Sequence, residues 1–124
     1  MTANPHMLKK VRSMAIMESA RDEPCAARVS SLYPGHACSH RSTTVGAHLP
    51  VFGKGVNTKV TDTAVCFACF NCHDIIDGRD RMRSEFIADR APTAYMERLL
   101  NGLVETHLRM IDMGIIVVPD AEFV

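Results

Sequence analysis

Cys69-Phe70-Asn71-Cys72-His73, continuing through Asp74-Ile75-Ile76-Asp77, is the stretch that decides the fold. Two thiols two residues apart form half of a metal-binding knuckle, and a tetrahedral Zn²⁺ then needs two more soft ligands from elsewhere in the chain. Cys25 and Cys38 can supply them. The same stretch suits a short helix from Cys72 to about Gly78, with the glycine as its stop. On that helix His73 and Asp77 are four residues apart and share one face. The cysteines also permit a second pairing, Cys66-x-x-Cys69. The Cys69/Cys72 pair is preferred because His73 follows it directly, which leaves Cys66 as a small buried hydrophobe in a strand. Twelve residues separate Cys25 from Cys38, against about two to four in an ordinary zinc knuckle. His36 and His40 flank Cys38 and could replace it as ligands.

Other chemistries of this pattern fit the chain less well. Cys69 to His73 spells the c-type haem attachment motif, but the region Met1 to Lys10 has no apolar export signal. A redox Cys-x-x-Cys lacks a surrounding βαβ pattern. A zinc deaminase needs His-x-Glu, whereas Leu49 and Pro50 follow His48.

Five cysteines in 124 residues without an export signal point to a cytoplasmic chain with reduced or metallated thiols. No apolar run is long enough to span a membrane. Seven Phe and Tyr residues and no Trp make a modest core that a structural metal would support. The 14 basic and 14 acidic residues cancel, so phosphate contacts must come from local clusters such as Arg79, Arg81 and Arg83, or Lys54 and Lys59.

The chain reads as a single α+β domain spanning residues 1–124, with a core at about 24–82. Apolar residues at Leu8, Val11, Met14, Ile16 and Met17 fit an amphipathic helix from Met7 to about Glu23. Pro24 to Val65 is rich in Ser, Thr, Gly, Pro and His, with β-compatible pieces at Ala27 to Leu32, Thr43 to Leu49 and Thr58 to Val65. Pro92 suits a first helical position. Tyr95, Leu99, Leu103, His107 and Ile111 recur every four residues beside Leu100, Val104 and Leu108, which predicts a helix over about 92–113. So much apolar surface on one helix exceeds what the core can absorb, and a homodimer or partner contact is one outlet.

Leu8-Lys9-Lys10, Cys25, Tyr33-Pro34-Gly35-His36-Ala37-Cys38, Ala47-His48-Leu49 and Ala68 to Asp77 occur in an order that resembles the small phage- and prophage-encoded nucleases of the HNH type, the YbcO-like proteins. A more distant likeness is to the RecA-dependent phage nuclease Ref. The resemblance covers about Leu8 to Arg81. It implies a zinc-braced ββα-metal (HNH, or His-Me finger) domain flanked by an N-terminal helix and the long C-terminal one. It further implies a metal-dependent endonuclease that hydrolyses DNA phosphodiester bonds in phage recombination or DNA processing, with a recombinase such as RecA as a candidate partner.

In these terms Cys25, Cys38, Cys69 and Cys72 hold a structural Zn²⁺, and Mg²⁺ or another divalent cation serves catalysis. His48 is the general base, and His73 belongs to the catalytic site as a metal ligand. Asp77 and Asp62 are acidic ligands to the catalytic ion, with Asn57 as a weaker candidate. Lys59 is placed at the scissile phosphate, and Arg79 and Arg81 on the flanking backbone. Ala47 departs from the pattern, since many HNH sites carry an Asp or His ligand directly before the base histidine. The alternative reading is a non-catalytic zinc module that binds DNA or a phage or host protein.

Overall fold

A computed structural model describes residues 4–53 and 60–124. Its centre is a two-stranded antiparallel sheet of β1 (Val45–His48) and β2 (Val65–Ala68), registered Val45 to Ala68 and His48 to Val65. All four β2 residues are buried. Helix α2 (Phe70–Ile76) follows β2 after one residue and packs against both strands, so the chain runs strand, strand, helix through its middle. Around this unit lie α1 (Met14–Glu18) against β1, α3 (Arg81–Arg90) against α2, and α4 (Pro92–Asp112) across β2.

The outer edge of β2 is closed without a third strand. The Phe67 carbonyl accepts from the Ala26 and Ala27 amides at 2.7 and 3.2 Å. The Phe67 N–H donates to the hydroxyl of Thr106, a fully buried residue of α4, at 3.0 Å. Backbone groups with no water to bond are thereby satisfied. Helix α4 comes this close because of Gly102. A Cβ there would stand 2.6 Å from Cys66 Sγ and 2.9 Å from the Ala26 carbonyl oxygen.

That close approach corrects the expected inner face of α4. Its buried residues are Leu99, Gly102, Thr106 and Met110, of which Gly102 and Thr106 carry no apolar signal. Leu100, Val104 and Leu108 face outward at 63, 53 and 61 % exposure.

The expected N-terminal helix shrinks to five residues. Ser13 caps it, its hydroxyl accepting from the Ile16 N–H at 3.1 Å. Upstream, Val11 is drawn into extended pairing instead. Its N–H donates to Thr61 Oγ1, and its carbonyl accepts from the Asp62 N–H at 2.9 Å. Of the three β-compatible pieces, Thr43 to Leu49 contains β1. Ala27 to Leu32 instead ends in a 3₁₀ turn, and Thr58 to Val65 contributes only its last residue to a strand, with 58–59 outside the described residues.

Helix α2 starts two residues before the expected Cys72, and Gly78 follows it at φ +75°, the left-handed conformation that favours glycine at a helix end. Helix α3 was not expected as a separate element. Its charged sequence, with only Ile87 buried, carries no apolar period, although Asp80 caps its start through the Arg83 N–H.

Candidate metal centre and active site

Each cysteine reaches the cluster through a specific local constraint. The Ala26 and Ala27 bonds to Phe67 hold Cys25 alongside the end of β2, where Cys69 lies. Arg28 adopts a left-handed φ of +50°, and its N–H donates to Cys25 Sγ at 3.5 Å. Cys69 caps α2, its sulfur accepting from the Cys72 N–H at 3.5 Å, which sets Cys72 one turn away on the same side.

Cys38 is brought in by the loop it sits on. The Phe70 N–H donates to Thr43 Oγ1 at 3.0 Å, the Asn71 N–H to Ser39 Oγ at 3.2 Å, and the Asn71 side-chain amide to the Ala37 carbonyl at 2.9 Å. The first three amides of α2 are therefore satisfied by Thr43, Ser39 and Cys69, two of them from the Cys38 loop.

As a result the sulfurs of Cys25, Cys38, Cys69 and Cys72 all lie within 4.8 Å of one another. Cys38 and Cys72 are 3.7 Å apart, matching the roughly 3.8 Å edge of a tetrahedron with Zn–S bonds of about 2.3 Å. Cys66 stays outside, fully buried beneath Gly102. His36 and His40 do not join the group.

Proton affinities within the cluster fit the same chemistry. Hydrogen bonds from Cys25 and Cys72 hold the Cys69 thiol far below its ordinary range, while the same kind of neighbours push Cys72 far above. Burial, followed by the charges of Cys25 and Cys69, raises Cys38 to about 12. Four thiolates this close repel one another and can coexist only around a cation. Four sulfurs at this spacing could hold one metal ion, and a soft, closed set of this kind suits structural Zn²⁺.

A second cluster forms around the histidines. His48 ends β1, and its Nε2 lies 2.9 Å from Asp62 Oδ1. Asp62 is nearly enclosed, at 5 % exposure. It also accepts from the Ser13 N–H at 2.7 Å through Oδ2 and from Arg12 Nη1 at 3.2 Å through Oδ1. Burial alone would raise the Asp62 pKa. The Ser13 amide, His48 and Arg12 outweigh it and hold the carboxyl below its usual range.

On α2, His73 Nε2 stands 3.0 Å from Asp77 Oδ2, the two side chains sharing one face as the sequence predicts. Arg79 braces both, with contacts of 2.9 Å to Asp77 Oδ2, 3.2 Å to His73 Nδ1 and 2.8 Å to Asp74 Oδ1.

Several residues expected in the site meet partners within the chain. Among the described residues, Asp62 does not join His73 and Asp77 in a three-ligand group, and the four cysteines are the cluster of that kind. The Asp62 oxygens face His48, Arg12 and Ser13 instead. The arginines expected to meet DNA are paired within the chain: Arg79 as above, and Arg81 with Glu85 at 2.8 Å. Arg83 pairs with Asp80 at 2.9 Å and lies over the Tyr33 ring. Lys54, Asn57 and Lys59 fall outside the described residues. Arg12 and Ser13 were missed because they are about fifty positions from Asp62.

Among the described residues no helix is long and apolar enough to cross a membrane. No curated protein matches the sequence. A solved structure described as that of "a putative bacteriophage protein from Escherichia coli str. K-12 substr. MG1655" is 28 % identical, with a TM-score of 0.54, over 79 % of this chain and 98 % of that one. Residues 14–112 match the family model described as "Putative nuclease YbcO". That span runs from the first residue of α1 to the last of α4 and takes in all four clustered cysteines, both site histidines and Asp62, and the chain belongs to the YbcO family.

Proposed function

We propose that the chain is a metal-dependent endonuclease acting on DNA, built as an HNH-type ββα unit braced by a Cys₄ zinc. The observation that carries this reading is the 2.9 Å contact between His48 and the buried Asp62 carboxylate, in a member of a family described as nucleases. An ionised carboxylate can only accept, so the neutral imidazole facing it carries its proton on Nε2 and its lone pair on Nδ1. Nδ1 is then the atom that takes the proton from water as it attacks phosphorus. Asp62 acts as a positioning residue. It fixes the tautomer and stabilises the imidazolium that follows, while Arg12, bonded to the same oxygen, holds the carboxyl ionised.

His73 and Asp77 are the proposed ligands of the catalytic cation. Their 3.0 Å separation equals the edge between neighbouring ligands at about 2.1 Å in an octahedral shell. A divalent ion held there would supply charge stabilisation at the leaving oxygen. With Nε2 on the ion, His73 Nδ1 carries the ring proton, so Arg79 would turn from Nδ1 and stay on Asp77 and Asp74. The strand ending in His48 and the helix carrying His73 pack against each other, the arrangement such a site requires. Lys59 and Arg81 remain proposed contacts to the phosphate backbone, and phage recombination or DNA processing remains the proposed setting.

The test is nicking of supercoiled plasmid with Mg²⁺ or Mn²⁺ by zinc-loaded protein. Wild type should nick, and His48→Ala should lose activity by 10²-fold or more, on the order of a general-base contribution, with circular dichroism and zinc content unchanged. A wild-type protein that binds DNA without cutting it would make the chain a zinc-stabilised binding module.

A further inference from the structure

His107 stands on α4 where the row of Leu99 and Leu103 would place another leucine, and its ring is half-buried. A polar ring in an apolar row is costly unless its nitrogen finds a partner. The partner here is backbone: His107 Nε2 lies 2.6 Å from the Thr63 carbonyl oxygen. A carbonyl can only accept, so His107 carries a proton on Nε2 and donates it. Thr63 directly follows Asp62, the carboxylate that faces His48. We infer that His107 is a positioning residue, holding the Asp62 turn at the distance that orients His48. This role rests on the reading of His48 as the base and of Asp62 as the group that fixes its tautomer.

The 3₁₀ turn Asp62–Ala64 has no strand partner of its own, and each of its residues is tied to a different part of the chain. The Asp62 N–H donates to the Val11 carbonyl at 2.9 Å, and the Ala64 carbonyl accepts from the Leu49 N–H at 3.0 Å. Thr63, between them, is held by His107. The first two bonds come from the segments that also carry Ser13 and His48. His107 instead ties the turn to the long helix, whose preceding residue, Thr106, accepts from the Phe67 N–H of β2. Asp62 is thereby located against the same sheet from which His48 projects. A shift of about 1 Å in the turn would carry the 2.9 Å contact between His48 and Asp62 past the roughly 3.2 Å limit of a good hydrogen bond. His48 would then lose the acceptor that keeps its proton on Nε2.

The test is heteronuclear NMR of the histidine rings in the zinc-loaded full chain at pH about 8, where a histidine of ordinary pKa is neutral, with plasmid nicking beside it. In wild type, His48 and His107 should each be protonated on Nε2 alone. His107→Phe keeps a ring and removes the donor. It should leave His48 as a mixture of both neutral tautomers and slow nicking by roughly 10- to 100-fold, the scale on which a misplacement of about 1 Å acts. His107→Gln, whose amide can reach the same carbonyl, should restore both readouts. A histidine that merely packs the helix would give a lower Tm in His107→Phe with the His48 proton still on Nε2, and that result overturns the inference. So does a Gln variant that behaves as the Phe variant does, or a wild-type His107 protonated on Nδ1 alone, which needs no variant to observe. A wild-type His48 protonated on Nδ1 would sink both this role and the reading it rests on. If wild type does not nick, the nuclease reading falls, and the response of the His48 tautomer to His107→Phe still decides this one.

Discussion

Replacing Asp62 by Asn removes a charge while keeping the shape, and the contacts around it dictate the outcome. The carboxylate now accepts on both sides, from His48 and Arg12 at Oδ1 and from the Ser13 N–H at Oδ2. An amide has one accepting atom and must choose. If its oxygen faces His48, its NH₂ opposes the Ser13 N–H, a backbone donor that cannot move away. If its oxygen faces Ser13, its NH₂ opposes His48 and Arg12, and the Arg12 side chain, at 46 % exposure, can swing into water. The second orientation wins.

His48 Nε2 must then accept, its proton moves to Nδ1, and the basic nitrogen is lost. The cutting rate should fall on the order of 10²–10³-fold. Stability should fall modestly. The Ser13 bond changes from charged to neutral, worth about 1 kcal/mol, and the half-exposed Arg12 pair adds ~0–1 kcal/mol. Together these give about 1–2 kcal/mol, or roughly 4–8 °C in Tm for a chain of this length.

The acid side supplies a second reading. Asp62 has a depressed folded pKa, so its contribution is complete above the ordinary carboxylate value of about 3.9. It is lost as pH falls through the folded value, and the stability gap between wild type and Asp62→Asn should close in acid. Urea unfolding at several pH values, with plasmid nicking at neutral pH, measures both effects. A folded Asp62→Asn protein that cuts within threefold of wild type would refute the tautomer reasoning.

Cys69→Ser and Cys72→Ser should each drop zinc content by elemental analysis from one per chain to a small fraction and lower solubility, whereas Cys66→Ser should retain the metal. Equal loss in all three would mean that the wrong sulfurs are assigned. Gly102→Ala should destabilise, because its methyl meets Cys66 Sγ and the Ala26 carbonyl at 2.6 and 2.9 Å. Overpacking of about 3 kcal/mol less a helix-propensity gain of about 1 leaves roughly 2 kcal/mol, readable as a Tm loss near 8 °C. Adding Cys66→Ala should recover part of it. Asp77→Asn should raise the Mn²⁺ concentration needed for half-maximal nicking about 10–100-fold, with zinc content unchanged. A shift in zinc instead would place Asp77 in the structural site.

The elements legible in the sequence were those written in local chemistry. The Cys69-to-Asp77 stretch announced a helix start, a shared face and a thiol pair, and Pro92 with its apolar period announced α4. What escaped lay in long-range contact. Nothing near Val11 indicates that it will pair with Thr61 and Asp62, and nothing near Gly102 says that a strand will press against it. The inner face of α4 is legible only in part for that reason: Leu99 packs inward, with Tyr95 and Leu103 partly buried against the core, but a glycine and a buried threonine share that face and Leu100, Val104 and Leu108 are left outside. Asp62 is expected as a ligand to the catalytic ion, but its contacts depend on Arg12, Ser13 and His48 converging from two separate segments, a geometry that spacing along the chain does not encode.

Helix α2 has a borrowed beginning. Its leading amides rest on Ser39 and Thr43, and the loop that brings these hydroxyls into place is tethered at Cys38. Withdrawal of the ion, or oxidation of that half-exposed sulfur, would release the loop and unravel the first turn, two residues ahead of His73. Under the proposed zinc and nuclease readings, cutting would therefore depend on the supply of zinc and reductant, although the structural ion takes no part in the cutting step.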